Sequence, residues 1–382
     1  MQSLNNLKFL INASNLHVGG GVQVAVSVID ELSRFDDFFS DITILASDEV
    51  HVNLQVLGSD LSRFSNYEVT NTYGLSTLWS GLRKKVRGHD VVFTLFGPLY
   101  LRSMSAANIV GFAQPWIIYP DNEIYRSFIA FRKFTSRLKF YVQALVFKRA
   151  DRLVVELEHV KDQLVGRGLA DAGRIDVVHN GLSSVYLCPD KWKSLQTAIV
   201  KTRFSIGFVG RDYPHKNTKI FPQIKRLLLD LHDLSVDFYV TFNAKEWAAT
   251  SEFFQASVNN VGVLYSAQCP TFYQQMDAVI FPSFLECFSA TPLEALVMEK
   301  PLFASDRGFI RDVCGDYAWY FNPENPVEAA NLIATYVNKH MGHDGVRLAA
   351  ARQHVIQFSN ARQRAVDYLS LMQTIATDRS VA

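Results

Sequence analysis

Cysteine is scarce: the 382 residues contain four, Cys188, Cys269, Cys287 and Cys314, with no C-x-x-C pair. That scatter argues against a disulfide framework or a zinc site and fits a reducing compartment. The ten histidines include no H-E-x-x-H or related spacing, so no protein-held metal is expected. No apolar run approaches the roughly 18 residues of a membrane-spanning helix, and the start, MQSLNNLKFLINAS, has neither the basic beginning nor the long apolar core of a signal peptide. The expectation is a cytoplasmic protein, peripheral at the inner face of the plasma membrane if it meets a membrane at all. Charge of one sign is also missing. A net charge of +1 and a pI near 7.7 give no general attraction for nucleic acid, which is not an expected partner.

What is present is apolar and periodic. With 48% hydrophobic residues the chain is long enough for two full cores. Short apolar runs, KFLINAS, DITILAS, VVFTLFG, NIVGFAQ, RLVVEL and IDVVHNG, alternate with helical stretches. The pattern pauses around CPDKWKSLQTAIVKTR and restarts with FSIGFVG, DFYVTFN, VGVLYS, DAVIFPS, PLFASD and AWYFNP. Nearly continuous apolar strands between helices mean a parallel sheet covered on both faces. The fold class is therefore α/β, with two doubly wound Rossmann-like domains at 1–185 and 200–358, a linker over 182–201, and a C-terminal helix at 359–382 packing back on the first domain. Helices are expected at 22–35, 218–234, 292–299, 326–339 and 345–374.

Three places could carry chemistry. Gly19, Gly20 and Gly21 stand between the first strand and a helix, where they serve equally as a close-approach loop for a ligand or as simple turn geometry. In FSIGFVGRDYPHKN, Arg211 and Lys216 follow a strand and would clamp a diphosphate or merely be solvated. In FPSFLECFSATPLEALVMEKPLFASD, Glu286 falls in a loop at a strand's carboxyl end and Glu294 in the opening turn of the next helix. Open α/β sheets bind ligands at that edge. Yet Thr291 to Glu294 also fits a capping box, unless Ser289 caps instead and frees Glu294. Residue spacing leaves the pair undecided between site and scaffold.

The combination resembles the retaining family 4 glycosyltransferases of the GT-B fold, which carry a Glu-x7-Glu motif after a strand ending in Pro-Ser. Here it reads PSFLECFSATPLEAL, flanked by VVHNG, GRDYPHKN and KPLFASDRGFIRDVCGDYAWYFNPENPVEAANLI. The resemblance implies two domains facing one interdomain cleft, no cofactor, and a nucleoside-diphosphate sugar as donor. It makes Arg211 and Lys216 diphosphate ligands and Glu294 the partner of the ribose hydroxyls. Glu286 becomes the catalytic residue beside the reacting carbon. Phe288, Ser289, Ala290 and Thr291 then hold sugar and phosphate, while Gly20 and Gly21 bring first-domain backbone to the ligands. The acceptor would be a growing glycan on a lipid carrier, a bacterial cell-envelope polysaccharide. A nucleotide-sugar epimerase and a non-catalytic nucleotide-sugar binder are the alternatives. Three departures stand out: the family's usual glycines are Cys287 and Ser289, Arg211 and Lys216 sit slightly closer together, and Gln114 replaces an acceptor-side histidine.

One further segment draws notice. From Tyr125 to Arg149 there is no acidic residue. On a helical wheel Arg126, Lys133, Arg137 and Lys148 share one sector, and Phe128, Phe131, Phe134, Leu138, Tyr141, Val142 and Leu145 fill a broad arc. Either that arc packs on the first domain's sheet, or the segment lies on an anionic membrane surface. Phe140 and Phe147, outside the arc, read as additional exposed aromatics and favour the membrane.

Overall fold

The apolar runs become strands whose residues are shielded on both sides, as parallel sheets require. This computed structural model describes residues 7–35, 42–79, 81–101, 104–358 and 360–381. The chain divides into two compact units, Met1–Ser183 with Asn360–Ala382, and Ser184–Ser359.

The first unit holds β1 (Phe9–Ala13), β2 (Ile42–Ala46), β3 (Asn66–Val69), β4 (Val91–Thr94), β5 (Ala107–Gly111), β6 (Arg152–Val155) and β7 (Ile175–Val177), in the order β3-β2-β1-β4-β5-β6-β7. All pairs are parallel, with Ile11 in register between Ile44 and Phe93. The second unit holds β8 (Phe204–Phe208), β9 (Val236–Val240), β10 (Val258–Asn260), β11 (Ala278–Phe281), β12 (Leu302–Ser305) and β13 (Trp319–Phe321), in the order β10-β9-β8-β11-β12-β13. It too is parallel throughout. In each sheet the strand order reverses beside the first strand, which creates the crevice where doubly wound folds take ligands.

The helices used below are α1 (Gly20–Leu32), α2 (Ala130–Phe147), α3 (Phe221–His232), α4 (Ala290–Val297), α5 (Pro326–Lys339), α6 (Gly345–Phe358) and α7 (Ala361–Val381). α3 turns Phe221, Ile224 and Leu228 inward at helical spacing, and α5 adds Ala330, Ile333 and Ala334 to the same core. α7 belongs to the first unit. Its Tyr368 meets Phe93 of β4 edge to face at 4.8 Å, and its fully buried Arg364 donates to Asn180 and Ser27.

Several expectations need correction. VGVLYS at 261–266 is not a strand, because Gly262 takes a φ of 84° and turns the chain away; the edge strand lies just before it, at β10. β3, at the opposite kind of edge, has no fully buried residue and therefore no apolar run to announce it. The helix expected at 345–374 is two helices, since Asn360 leaves the helical path to bridge Leu182 and to cap Gln363 with its side chain. The stretch read as a linker packs into the second unit: Tyr186 is buried, and Trp192 donates its indole N–H to the Val185 carbonyl at 2.7 Å.

The basic aromatic segment differs most. Along α2 the side chains that turn inward are Ala144 and Phe147, with Phe140 lying flat on Trp116 at 5.4 Å. Of the arc left open between the sheet and a membrane surface, Phe131, Phe134, Leu138, Tyr141, Val142 and Leu145 are exposed, while Phe128, just before the helix, is half-buried and stacks on Trp116 at 6.1 Å. Phe147, read as an exposed aromatic, is instead buried, at 3%.

Candidate functional site

The second unit's switch point lies between β8 and β11, and the loops leaving those two strands carry most of the expected site residues. Gly207 in β8 is there for packing: a Cβ would fall 2.6 Å from Met276 Cγ and 2.9 Å from the Phe272 ring. After β8 the Gly210 N–H donates to Thr241 Oγ1 at 3.1 Å, and the chain makes a short 3-10 turn, Pro214–Lys216. Asn217 ends the turn in the left-handed region, φ 54°, held by its amide on the Pro323 carbonyl at 2.8 Å. The loop after β11 is tied to this one by backbone, the Phe284 N–H donating to the His215 carbonyl at 2.7 Å.

That tie sets Lys216 against Glu286. Lys216 Nζ stands 2.6 Å from Glu286 Oε1 and 5.0 Å from the Phe281 ring centre. Both side chains are nearly shielded, at 13% and 9% exposure, so the attraction acts in a medium poorer than water and outweighs a surface pair. His215 Nε2 lies 3.8 Å from the same oxygen. Burial lowers the His215 pKa to about 4, with Lys216 adding to the push and Glu286 opposing it, so the imidazole is neutral at pH 7. Arg211 donates through Nε to Glu246 Oε1 at 2.8 Å, and Glu246 is itself the third residue of a capping box with Asn243.

Glu294 is 4% exposed and is not a cap residue. α4 begins at Ala290, two residues before the expected start, with Ser289 at the N-cap position making no side-chain capping bond. Glu294 instead accepts a hydrogen bond from Tyr273 at 2.7 Å, and Tyr186 also hydrogen-bonds it. Burial raises its pKa, while the two tyrosine hydroxyls and Lys216 pull the other way. Thr291 donates to the Val209 carbonyl at 3.3 Å, which pins the first turn of α4 to the end of β8. Cys287 is buried, and neither it nor Ser289 (φ −141°) takes a positive φ, so this loop does not use the freedom of a glycine at either place.

Arg211, Lys216, Glu286, Phe288 and Ser289 thus fall on adjoining loops of one sheet edge, and Ala290, Thr291 and Glu294 on the helix that the second loop leads into. Gly20, Gly21 and Gln114 belong to the first unit. Gly20 and Gly21 open α1 after Gly19, whose φ is 71°, and Gln114 precedes the short helix Pro115–Ile118 after β5. At the carboxyl edge of that sheet lies a cavity of about 260 Å³, lined by Asn12, Asn15, Tyr73, Thr77, Tyr100 and Gln143 among others. Gln114 and the two glycines are not part of its wall. Sequence reasoning missed His215, Glu246, Tyr186 and Tyr273. The first lay in the GRDYPHKN stretch already singled out; the tyrosines gave no signal, because no motif marks residues that meet Glu294 only after folding.

Two doubly wound parallel sheets on one chain define the architecture as that of the GT-B fold. Residues 192–350 match the family model described as Glycosyl transferases group 1. D-inositol 3-phosphate glycosyltransferase of Mycolicibacterium gilvum is 30% identical over 177 residues, 43% of this chain and 38% of that protein. O-antigen chain mannosyltransferase RfbU of Salmonella typhimurium is 24% identical over 219 residues, 54% of each chain. The chain thus spans about half or less of the curated relatives it matches. Among solved structures, a glycosyltransferase from Rickettsia africae aligns over 97% of this chain and 99% of its own, with a TM-score of 0.67 and 16% identity. Anabaena HepE in complex with UDP and glucose aligns over 96% and 100%, also with a TM-score of 0.67 and 16% identity. At that identity the likeness is one of fold.

Proposed function

We propose that the chain is a retaining glycosyltransferase that moves a hexose or related sugar from a nucleoside-diphosphate sugar to a growing glycan, without a metal or other cofactor. The acceptor we propose is a lipid-linked bacterial cell-envelope polysaccharide, of O-antigen or capsule type. The observation that carries the reading is the shielded Lys216–Glu286 pair, 2.6 Å apart at the switch point, with the buried Glu294 on the adjoining helix. The match of residues 192–350 to group 1 glycosyl transferases supports the reaction class. The UDP and glucose in HepE support the donor class, and the O-antigen mannosyltransferase among the relatives supports the acceptor.

In this reading the donor's diphosphate meets Lys216 and the guanidinium of Arg211, which the Glu246 contact holds by Nε alone among its five hydrogens. These cations and the opening amides of α4 stabilise the negative charge that grows on the leaving group. The bond from the anomeric carbon to the diphosphate oxygen breaks. The acceptor oxygen then bonds to that carbon on the same face, and its proton passes to the departing phosphate oxygen. Glu286 holds the sugar and favours positive charge at the anomeric carbon, and Glu294 holds the ribose. His215, neutral at pH 7, adds no second cation beside Lys216.

Incubation with a panel of nucleotide sugars, read by mass spectrometry, tests this. Slow donor hydrolysis, or transfer when a glycan is added, supports the transferase. Release of an isomeric donor would replace it with an epimerase, and thermal stabilisation without turnover with a binding protein.

A further inference from the structure

The exposed arc of α2 has no role in that chemistry. The helix turns one line of side chains inward, Ala144 and Phe147 buried and Phe140 half-buried on Trp116, and presents nearly the opposite line to solvent: Phe131 at 74%, Phe134 at 65%, Tyr141 at 63% and Leu138 at 51%, with Ile129 at 73% just before it. An apolar face of this kind on a monomer marks an interaction site. Its borders are cationic. Arg132 and Lys139 follow one flank, Arg137 and Lys148 the other, and the only ion pair found for them among the described residues joins Arg137 to the exposed Asp121 at 2.6 Å.

A second element repeats the pattern. The turn Gly74–Trp79 exposes Trp79 at 81% and Leu75 at 59%, and exposed Arg83, Lys84 and Arg87 follow it. The two elements are neighbours, since Gly74 and Thr77 from the turn and Gln143 from α2 line the same 260 Å³ cavity. Apolar side chains ringed by cations on two adjacent elements complement an interface with hydrocarbon below and anionic head groups above.

We infer that the first unit docks on an anionic phospholipid bilayer through the exposed face of α2, together with the Gly74–Trp79 turn. α2 lies in the plane of the interface: its 18 residues span about 27 Å, and among the described residues no helix is long and apolar enough to cross a membrane. A second copy of the chain is the poorer fit, because a self-complementary contact would press two acid-free, cation-rich segments together, seven Lys and Arg in each from Tyr125 to Arg149. The inference is independent of the transferase reading, since lipid attachment is measured without turnover.

Flotation of the full chain with vesicles tests it. The chain rises with phosphatidylcholine vesicles containing about 30% phosphatidylglycerol, stays down with pure phosphatidylcholine, and loses attachment as salt is raised. The triple variant Phe131→Ser, Phe134→Ser, Tyr141→Ser lowers partition at least about tenfold, and Arg132→Glu with Lys139→Glu lowers it further on anionic vesicles. These side chains are exposed, so circular dichroism and thermal melting are unchanged. A wild-type chain that stays down with anionic vesicles, or a serine variant that floats like it, overturns the proposal. So does a lipid-free dimer, seen by sedimentation, that the serine variant dissolves into monomers.

Discussion

Tyr273 donates its hydroxyl hydrogen to Glu294 across 2.7 Å, in a place where neither side chain is open to solvent. Twenty-one positions apart in sequence, they form the polar centre of an otherwise apolar region. Tyr273→Phe deletes one of the two tyrosine donors to a buried carboxylate. The variant should unfold about 1–3 kcal/mol more easily in urea and bind nucleoside diphosphates more weakly.

The raised pKa of Glu294 gives a pH dependence with a definite sign. Above the ordinary carboxylate value of 4.5 the unfolded chain gives up this proton before the folded chain does, so the folded state binds more protons there. Stability from this residue therefore falls as pH rises above 4.5. Glu294→Gln removes the dependence. Its urea stability relative to wild type should improve as pH rises above 4.5.

His215 acts in the opposite sense. Its pKa is lowered from 6.5 to about 4, so between those values the unfolded state holds the proton. Its contribution is full above 6.5 and is lost as pH falls toward 4, by up to about 3 kcal/mol. His215→Gln should flatten acid unfolding in that window. An unaltered acid limb would place the titrating group elsewhere.

The Lys216–Glu286 pair predicts a split in function. Glu286→Ala should abolish transfer while nucleotide binding, read by calorimetry, persists; Glu294→Ala should weaken nucleotide affinity. Equal and unchanged kinetics in both would defeat the assignment. Lys216→Ala strands a shielded carboxylate, which costs about 3–5 kcal/mol, so its binding loss must be read against its melting temperature.

Glu246→Gln isolates Arg211. Glutamine keeps the capping box with Asn243 but no longer neutralises the guanidinium. Nucleoside diphosphates should bind roughly fivefold more tightly, with little change in thermal stability. No gain would show that Arg211 does not reach the diphosphate.

The sheets were legible because a strand covered on both faces must be apolar along its whole length, as FSIGFVG and DAVIFPS are. Two of the four edge strands were not: β3 and β10 are half open to water and need no such run, and VGVLYS has one without being a strand, whereas IDVVHNG and AWYFNP did mark β7 and β13. Arg211, Lys216 and Glu286 were legible as residues at strand ends and Glu294 as a residue of the following helix, since alternation of strand and helix fixes which loops share an edge.

Their partners were a different matter. Tyr186 and Tyr273 reach Glu294 from a 3-10 turn and a short helix whose positions depend on packing. Periodicity along α2 identified residues that share a face and the sequence alone settled that much, together with the α/β class and the strand-end placement of the charged residues. Which face turns inward was decided by tertiary structure: Trp116 offers a flat surface to Phe140, Phe112 meets Phe147 edge to face at 4.8 Å, and the larger apolar arc is left to the outside. A repeat in one helix carries no information about the shape of the neighbour that covers it.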